Sequence, residues 1–167
     1  MLTVRERFGP LQGLKMAFVG DGNNVATSLV EAGALTGMEV VIGCPPGYEP
    51  RVEGANVVHD PREAVAGADA VYTDVWVSMG REKESAERLR QMDGYQVNAG
   101  IVGVAKPGAL VMHCLPAYRG KEIDEATFEA NADTIFDEAE NRLHVQKALM
   151  EYLLLGRVKT QGDLWST

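Results

Sequence analysis

The sequence predicts an α/β protein, an open and mostly parallel sheet with helices on both faces. Three observations carry that prediction. Short apolar runs recur along the chain, several ending in glycine or a polar cluster. Stretches with helical spacing or high charge separate them. The polar residues best suited to chemistry fall where a predicted strand hands over to a helix. Strands that alternate with helices build parallel sheets, because each crossover helix covers a sheet face.

The elements follow in order. LTVRERFGPLQG (2–13) reads as the end of a polar helix followed by a turn, so the chain is expected to begin partway through a larger protein. KMAFVG (15–20) is a buried-strand signal. DGNNVATSLVEAGALTGM (21–38) has apolar residues at helical spacing, and Gly37 fits its C-terminal stop. EVVIGC (39–44) is the second strand, PPGYEPRVEG (45–54) a loop, and ANVVHD (55–60) a weaker third strand. PREAVAGA (61–68) reads as a short helix opened by Pro61. DAVYTDVW (69–76) is the fourth strand and EKESAERLRQM (82–92) a charged helix. YQVNAGIVGVA (95–105) holds a short strand or turn and then a helical turn. ALVMHCL (109–115) is the fifth strand, and EIDEATFEAN (122–131) a short helix. DTIFDEA (133–139) is expected as a sixth strand before the closing helix ENRLHVQKALMEYLLLG (140–156). The chain reads as one domain, 1–156, with a tail at 157–167. One junction resists the scheme: about ten residues join strands two and three, and a parallel crossover usually takes a dozen or more. Either that crossover is an extended segment or that edge of the sheet is irregular.

The 167 residues suffice for one sizeable core. Hydrophobic residues make up 46% and charged residues 24%, as in ordinary soluble globular proteins. A net charge of -8 without a basic cluster argues against nucleic acid and anionic membranes as partners. No apolar run reaches membrane-spanning length, and no signal peptide is recognised. Two cysteines, Cys44 and Cys114, build neither a disulfide framework nor a metal-ligand spacing, so a cytoplasmic protein without a metal is expected.

Four stretches could carry chemistry. VGDGNNVA (19–26) gives G-x-G between strand and helix, but Val25 or Ala26 holds the third glycine position. No acidic residue closes EVVIGC, so a dinucleotide site is disfavoured. Asn23 and Asn24 instead mark a helix N-terminus suited to a carboxylate or phosphate, unless the glycines serve only a tight turn. In TDVWVSMG (73–80), Asp74 could hold an ammonium and Ser78 add a directional bond; equally, either could cap the next helix. In VMHCLPAYRG (111–120), neighbours in a strand point to opposite faces, so His113 is a poor base for Cys114. Cys114 reads as a buried apolar side chain or as a crevice residue at a strand end. The Leu115–Pro116 bond is a candidate cis peptide. In DEAENRLH (137–144), Arg142 follows a strand end and could polarise a carbonyl or pair within the Asp137–Glu140 cluster. A parallel sheet gathers all four junctions on one edge, which favours a small-molecule site.

In that order, GDGNN, DVWVSMG, HCLP and DEAENR closely resemble the second domain of ornithine carbamoyltransferases, over nearly the whole chain. SMG with HCLP sets these enzymes apart from aspartate carbamoyltransferases. The resemblance implies a Rossmann-like domain and transfer of a carbamoyl group from carbamoyl phosphate to L-ornithine, giving citrulline and phosphate without any cofactor. It implies that Asn24 binds the ornithine α-carboxylate, while Asp74, Ser78 and the Met79 backbone hold the α-amino end. Cys114 then lies near the attacking δ-nitrogen, the Leu115 carbonyl contacts the carbamoyl amide, and Arg142 polarises the carbamoyl oxygen. The family assembles as a homotrimer, largely through its first domain.

The chain also departs from the family. The phosphate-binding Ser-Thr-Arg-Thr and His-Pro-x-Gln motifs are absent, so the carbamoyl-phosphate domain is not in this chain. Only RVEG follows GYEP, where the family has a helix, and Tyr118 stands where HCLPAHRG has histidine. The expectation is an ornithine-binding half-site that makes little citrulline alone. The alternatives are a carbamoyltransferase for another amine such as putrescine, or a catalytically inactive binding or folding module.

Overall fold

The computed structural model of the chain describes residues 1–77 and 85–156. Helix α1 (Leu2–Phe8) precedes β1 (Lys15–Val19), α2 (Asn24–Thr36) and β2 (Glu39–Gly43). Next come β3 (Asn56–Val58), α3 (Pro61–Val65) and β4 (Ala70–Thr73). The chain continues through α4 (Ser85–Gln91), α5 (Ala99–Val102), β5 (Leu110–His113), α6 (Glu125–Ala130) and α7 (Ala132–Leu155). The five strands form one sheet in the order β3-β2-β1-β4-β5, and every pair is parallel. The expected fold class is therefore the observed one.

Strand periodicity sorts the core. Ala17, Val19, Val41, Val71 and Val111 face one apolar layer, shared with α3, α5 and α6. Met16, Phe18, Ile42, Tyr72 and Met112 face the other, shared with α2. Alternate residues of one strand thus serve opposite layers, as a sheet covered on both faces requires. Phe18 is fully buried and stacks on Tyr72 with ring centroids 5.9 Å apart. Burying a side chain of that size stabilises the fold by roughly 1.5–3 kcal/mol.

Local signals end the helices as read. Gly37 closes α2 in the left-handed region at φ 72. Pro61 opens α3 behind Asp60, whose side chain accepts from the Arg62 N–H. The crossover from β2 to β3 contains no helix and passes through turns at 46–47 and 53–54. It packs directly on the glycine loop after β1, where the Gly22 N–H donates to the Tyr48 carbonyl at 2.8 Å.

The expected sixth strand is not formed. Residues 133–139 are the opening turns of α7, which runs without a break to Leu155. The apolar run there is only Ile135 and Phe136, set among Asp133, Asp137, Glu138 and Glu140. Buried or half-buried positions recur at Ile135, Glu138 and Asn141, a helical spacing. Helix α7 packs on α1 and along the edge strand β5. Arg7 pairs with Asp137 at 2.5 Å, and Asn141 donates to Thr3 Oγ1 and Glu6 Oε2. No helix among the described residues is long and apolar enough to cross a membrane. The tail expected at 157–167 lies outside the described residues.

Candidate functional site

The carboxyl ends of β1, β4 and β5 lie side by side, and β1 is where the strand order reverses. Ligands of open α/β sheets bind beyond the strand ends at such a reversal. Three segments meet there: Gly20–Asn24 after β1, Asp74 after β4, and Cys114 after β5.

Asp74 is buried at their centre. Its Oδ2 accepts from Asn23 Nδ2 at 2.8 Å. Its Oδ1 accepts from the Val75 N–H at 2.7 Å and from the Cys114 thiol at 3.1 Å. These bonds draw Asp74 into the crevice. Asn23 has a second task, since its Oδ1 caps α2 by accepting from Val25 and Ala26. Asn24, the first residue of the helix, is left exposed. It lines an open cavity of about 1060 Å³ together with Asp21, Asn23, Tyr48, Glu49 and Arg88. Asn23 therefore stands between this cavity and the Asp74–Cys114 contact.

Arg88 ties the far wall together. It pairs with Asp21 at 2.5 Å, both side chains being largely buried, and its guanidinium lies 5.1 Å from the Tyr48 ring centre. One cation thus links α4, the glycine loop and the β2–β3 crossover.

Cys114 and His113 part as strand alternation demands. Cys114 packs with the α2-side layer, whereas His113 turns to the other face and meets Glu122. Burial, then the negative charge of Asp74 and the bond to it, push the Cys114 thiol up to about 12. It is a protonated donor at neutral pH and not a thiolate nucleophile. Behind it, the Tyr72 hydroxyl donates to Glu138 Oε1 at 2.6 Å. Burial holds Glu138 above the usual carboxylate range, with the Tyr72 bond opposing. Leu115 has φ 54, and the Leu115–Pro116 bond is cis.

Asp74, Cys114, Leu115 and Asn24 are thus gathered at one sheet edge. Ser78 and Met79 lie outside the described residues. Arg142 is corrected: it does not follow a strand end but lies well inside α7, exposed, one turn beyond Glu138. No contact joins it to Asp74 or Cys114 among the described residues. Asn23 was readable as a helix cap, but its bond to Asp74 spans 51 residues of sequence. Glu122, read at the start of a short helix, and Glu138, read in the expected sixth strand, gave no sequence signal beyond being acidic.

Asp74, His113 and Cys114 also bring three potential metal-ligating atoms within 4.8 Å of one another. His113 Nδ1 accepts from the Leu115 N–H, and Cys114 keeps its proton. Those engagements suit a hydrogen-bonded site better than a cation site.

Residues 12–153 match the family model described as aspartate/ornithine carbamoyltransferase, Asp/Orn binding domain. The chain is 51% identical to the ornithine carbamoyltransferase of Methanoculleus marisnigri, over 93% of this chain and 54% of that one. It is 50% identical to that of Geobacillus stearothermophilus, over 90% and 53%. The crystal structure of ornithine carbamoyltransferase from Thermus thermophilus superposes with a TM-score of 0.82 at 44% identity, covering 92% of this chain and 52% of that one. The chain spans about half the length of the curated relatives it matches.

Proposed function

We propose, from the premise that this chain belongs to the aspartate/ornithine carbamoyltransferase family as its Asp/Orn binding domain, that it supplies the ornithine-binding half of an ornithine carbamoyltransferase site. The observation that carries the reading is Asp74, a buried carboxylate bonded to Asn23 and Cys114, with exposed Asn24 next along the chain from Asn23. A carboxylate held this way suits an ammonium. The Asn24 amide at the start of α2 suits a carboxylate. Together they match the two α groups of an amino acid, which a simple diamine lacks.

In this reading Asn24 binds the ornithine α-carboxylate, and Asp74, Ser78 and the Met79 backbone bind the α-ammonium. The protonated Cys114 lines the path of the δ-nitrogen. The δ-ammonium loses a proton, and its nitrogen attacks the carbamoyl carbon. The bond from that carbon to the phosphate oxygen then breaks, and phosphate leaves with its electron pair and takes up the second proton from the nitrogen. The Leu115 carbonyl holds the carbamoyl amide. Arg142 is assigned to the carbamoyl oxygen by its place in DEAENR alone. Positioning and charge stabilisation do the work, with no covalent enzyme intermediate. Carbamoyl phosphate is gripped by a second domain, in a cytoplasmic enzyme whose citrulline feeds arginine biosynthesis.

The test is citrulline formation by the purified chain, given L-ornithine and carbamoyl phosphate. No citrulline above the uncatalysed background is expected. Robust turnover by this chain alone would overturn the half-site reading.

A further inference from the structure

His113 and Glu122 are both completely buried and lie beside the crevice, yet the reading above gives them no task. Their bonds fix a protonation pattern. His113 Nδ1 accepts from the Leu115 N–H at 3.0 Å, so Nδ1 carries no proton. The ring proton is then on Nε2, which faces Glu122 Oε1 at 3.1 Å. The same Oε1 accepts from the Tyr118 N–H at 2.5 Å. An imidazolium, or the opposite tautomer, would set an N–H of the ring against the N–H of Leu115.

Glu122 is held from outside this loop. Its carbonyl accepts from the Val97 N–H at 2.8 Å, and Asp124 donates back to the Val97 carbonyl. Its Oε2 has no hydrogen-bond partner among the described residues. Burying a carboxylate with one oxygen unpaired is costly, and a neutral side chain could fill the same space. What only the carboxylate supplies is an acceptor strong enough to keep the ring proton on Nε2. That leaves the Nδ1 lone pair for Leu115, the one non-glycine with positive φ among the described residues.

We propose that Glu122 and His113 are a positioning pair that sets the 114–119 turn. Glu122 selects the histidine tautomer, and His113 Nδ1 holds the Leu115 backbone. Together they aim the Leu115 carbonyl and the Cys114 thiol into the crevice before any ligand arrives. What the turn is aimed at rests on the half-site reading; the pair itself does not.

The experiment is NMR on the ¹⁵N-labelled 167-residue chain. In the unmodified chain, ring ¹⁵N shifts of His113 should report a proton on Nε2 and none on Nδ1. A ring protonated on Nδ1 overturns the proposal without need of any variant. His113→Gln should displace the Cys114 and Leu115 amide signals, because it keeps a group near Nε2 but loses the acceptor near Nδ1. His113→Asn, whose amide oxygen falls near Nδ1, should restore the Leu115 signal. Native Leu115 and Cys114 signals in folded His113→Gln would overturn the proposal. These signals are read without ligand, so a chain that ignores L-ornithine would refute the half-site reading and not the pair. Where L-ornithine does bind, His113→Gln should weaken it about ten-fold, the effect of losing one well-placed buried hydrogen bond. His113→Asn should recover most of that loss, and equal binding by His113→Gln would again overturn the proposal.

Discussion

A methyl group at Gly22 would sit 2.3 Å from the Tyr48 carbonyl oxygen and 2.4 Å from the Pro50 nitrogen. Both are backbone atoms of the β2–β3 crossover, so the clash cannot be relieved by turning a side chain. The two glycines of G-x-G therefore answer different needs. Gly20 has φ 136, which a tight turn requires, whereas Gly22 admits a neighbouring chain segment. Gly22→Ala should cost about 2 kcal/mol through backbone displacement, read as a lower denaturant midpoint at unchanged slope. An unchanged midpoint would mean that the crossover does not press on the loop. At this scale the sequence offered Asn24, Asp74 and Cys114 as candidate crevice residues, beside plain turn, cap and core readings, because each stands at a strand-to-helix junction. It did not announce the bonds among them, since Asn23 and Asp74, or Cys114 and Asp74, meet only once the sheet is assembled.

Five strands were legible as elements because their apolar runs are short and stop at turns. Gly37 and Pro61 were legible as helix punctuation for local steric reasons. The reading failed at 133–139, where two apolar residues suggested a strand and the neighbouring Glu and Ala favour a helix. That change moved Arg142 from the first turn of the closing helix, just after a strand end, to well inside a longer helix, and brought Glu138 to Tyr72. Glu138 makes α7 pH-sensitive. Its folded pKa is raised, chiefly by burial, so the folded chain holds this proton more tightly than the unfolded chain. Its contribution is complete below the unfolded glutamate value, about 4.3, and is lost as pH rises through the folded value. Glu138→Gln keeps an acceptor for Tyr72 and removes the titration. Its melting temperature relative to the unmodified chain should therefore rise with pH across that window and then level off. Parallel melting curves at all pH values would mean that Glu138 is not buried against Tyr72.

At the scale of the whole molecule, most of the exposed large apolar side chains among the described residues lie on α7. The second half of α7 exposes Leu143, Leu149, Met150, Leu153 and Leu154, with Leu154 82% accessible. Glu140, His144, Lys147 and Glu151 form one polar and charged stripe at helical spacing, with Arg142 and Gln146 beside it. The chain spans about half the length of its curated relatives. The central claim is that this half carries the ornithine contacts. It is tested most directly by NMR titration of the labelled chain with L-ornithine, with putrescine and L-aspartate as controls. The account predicts saturable shifts at Asn24, Asp74 and Cys114 with L-ornithine and not with either control. A well-dispersed spectrum in which none of these signals moves, or moves equally with putrescine, would contradict it.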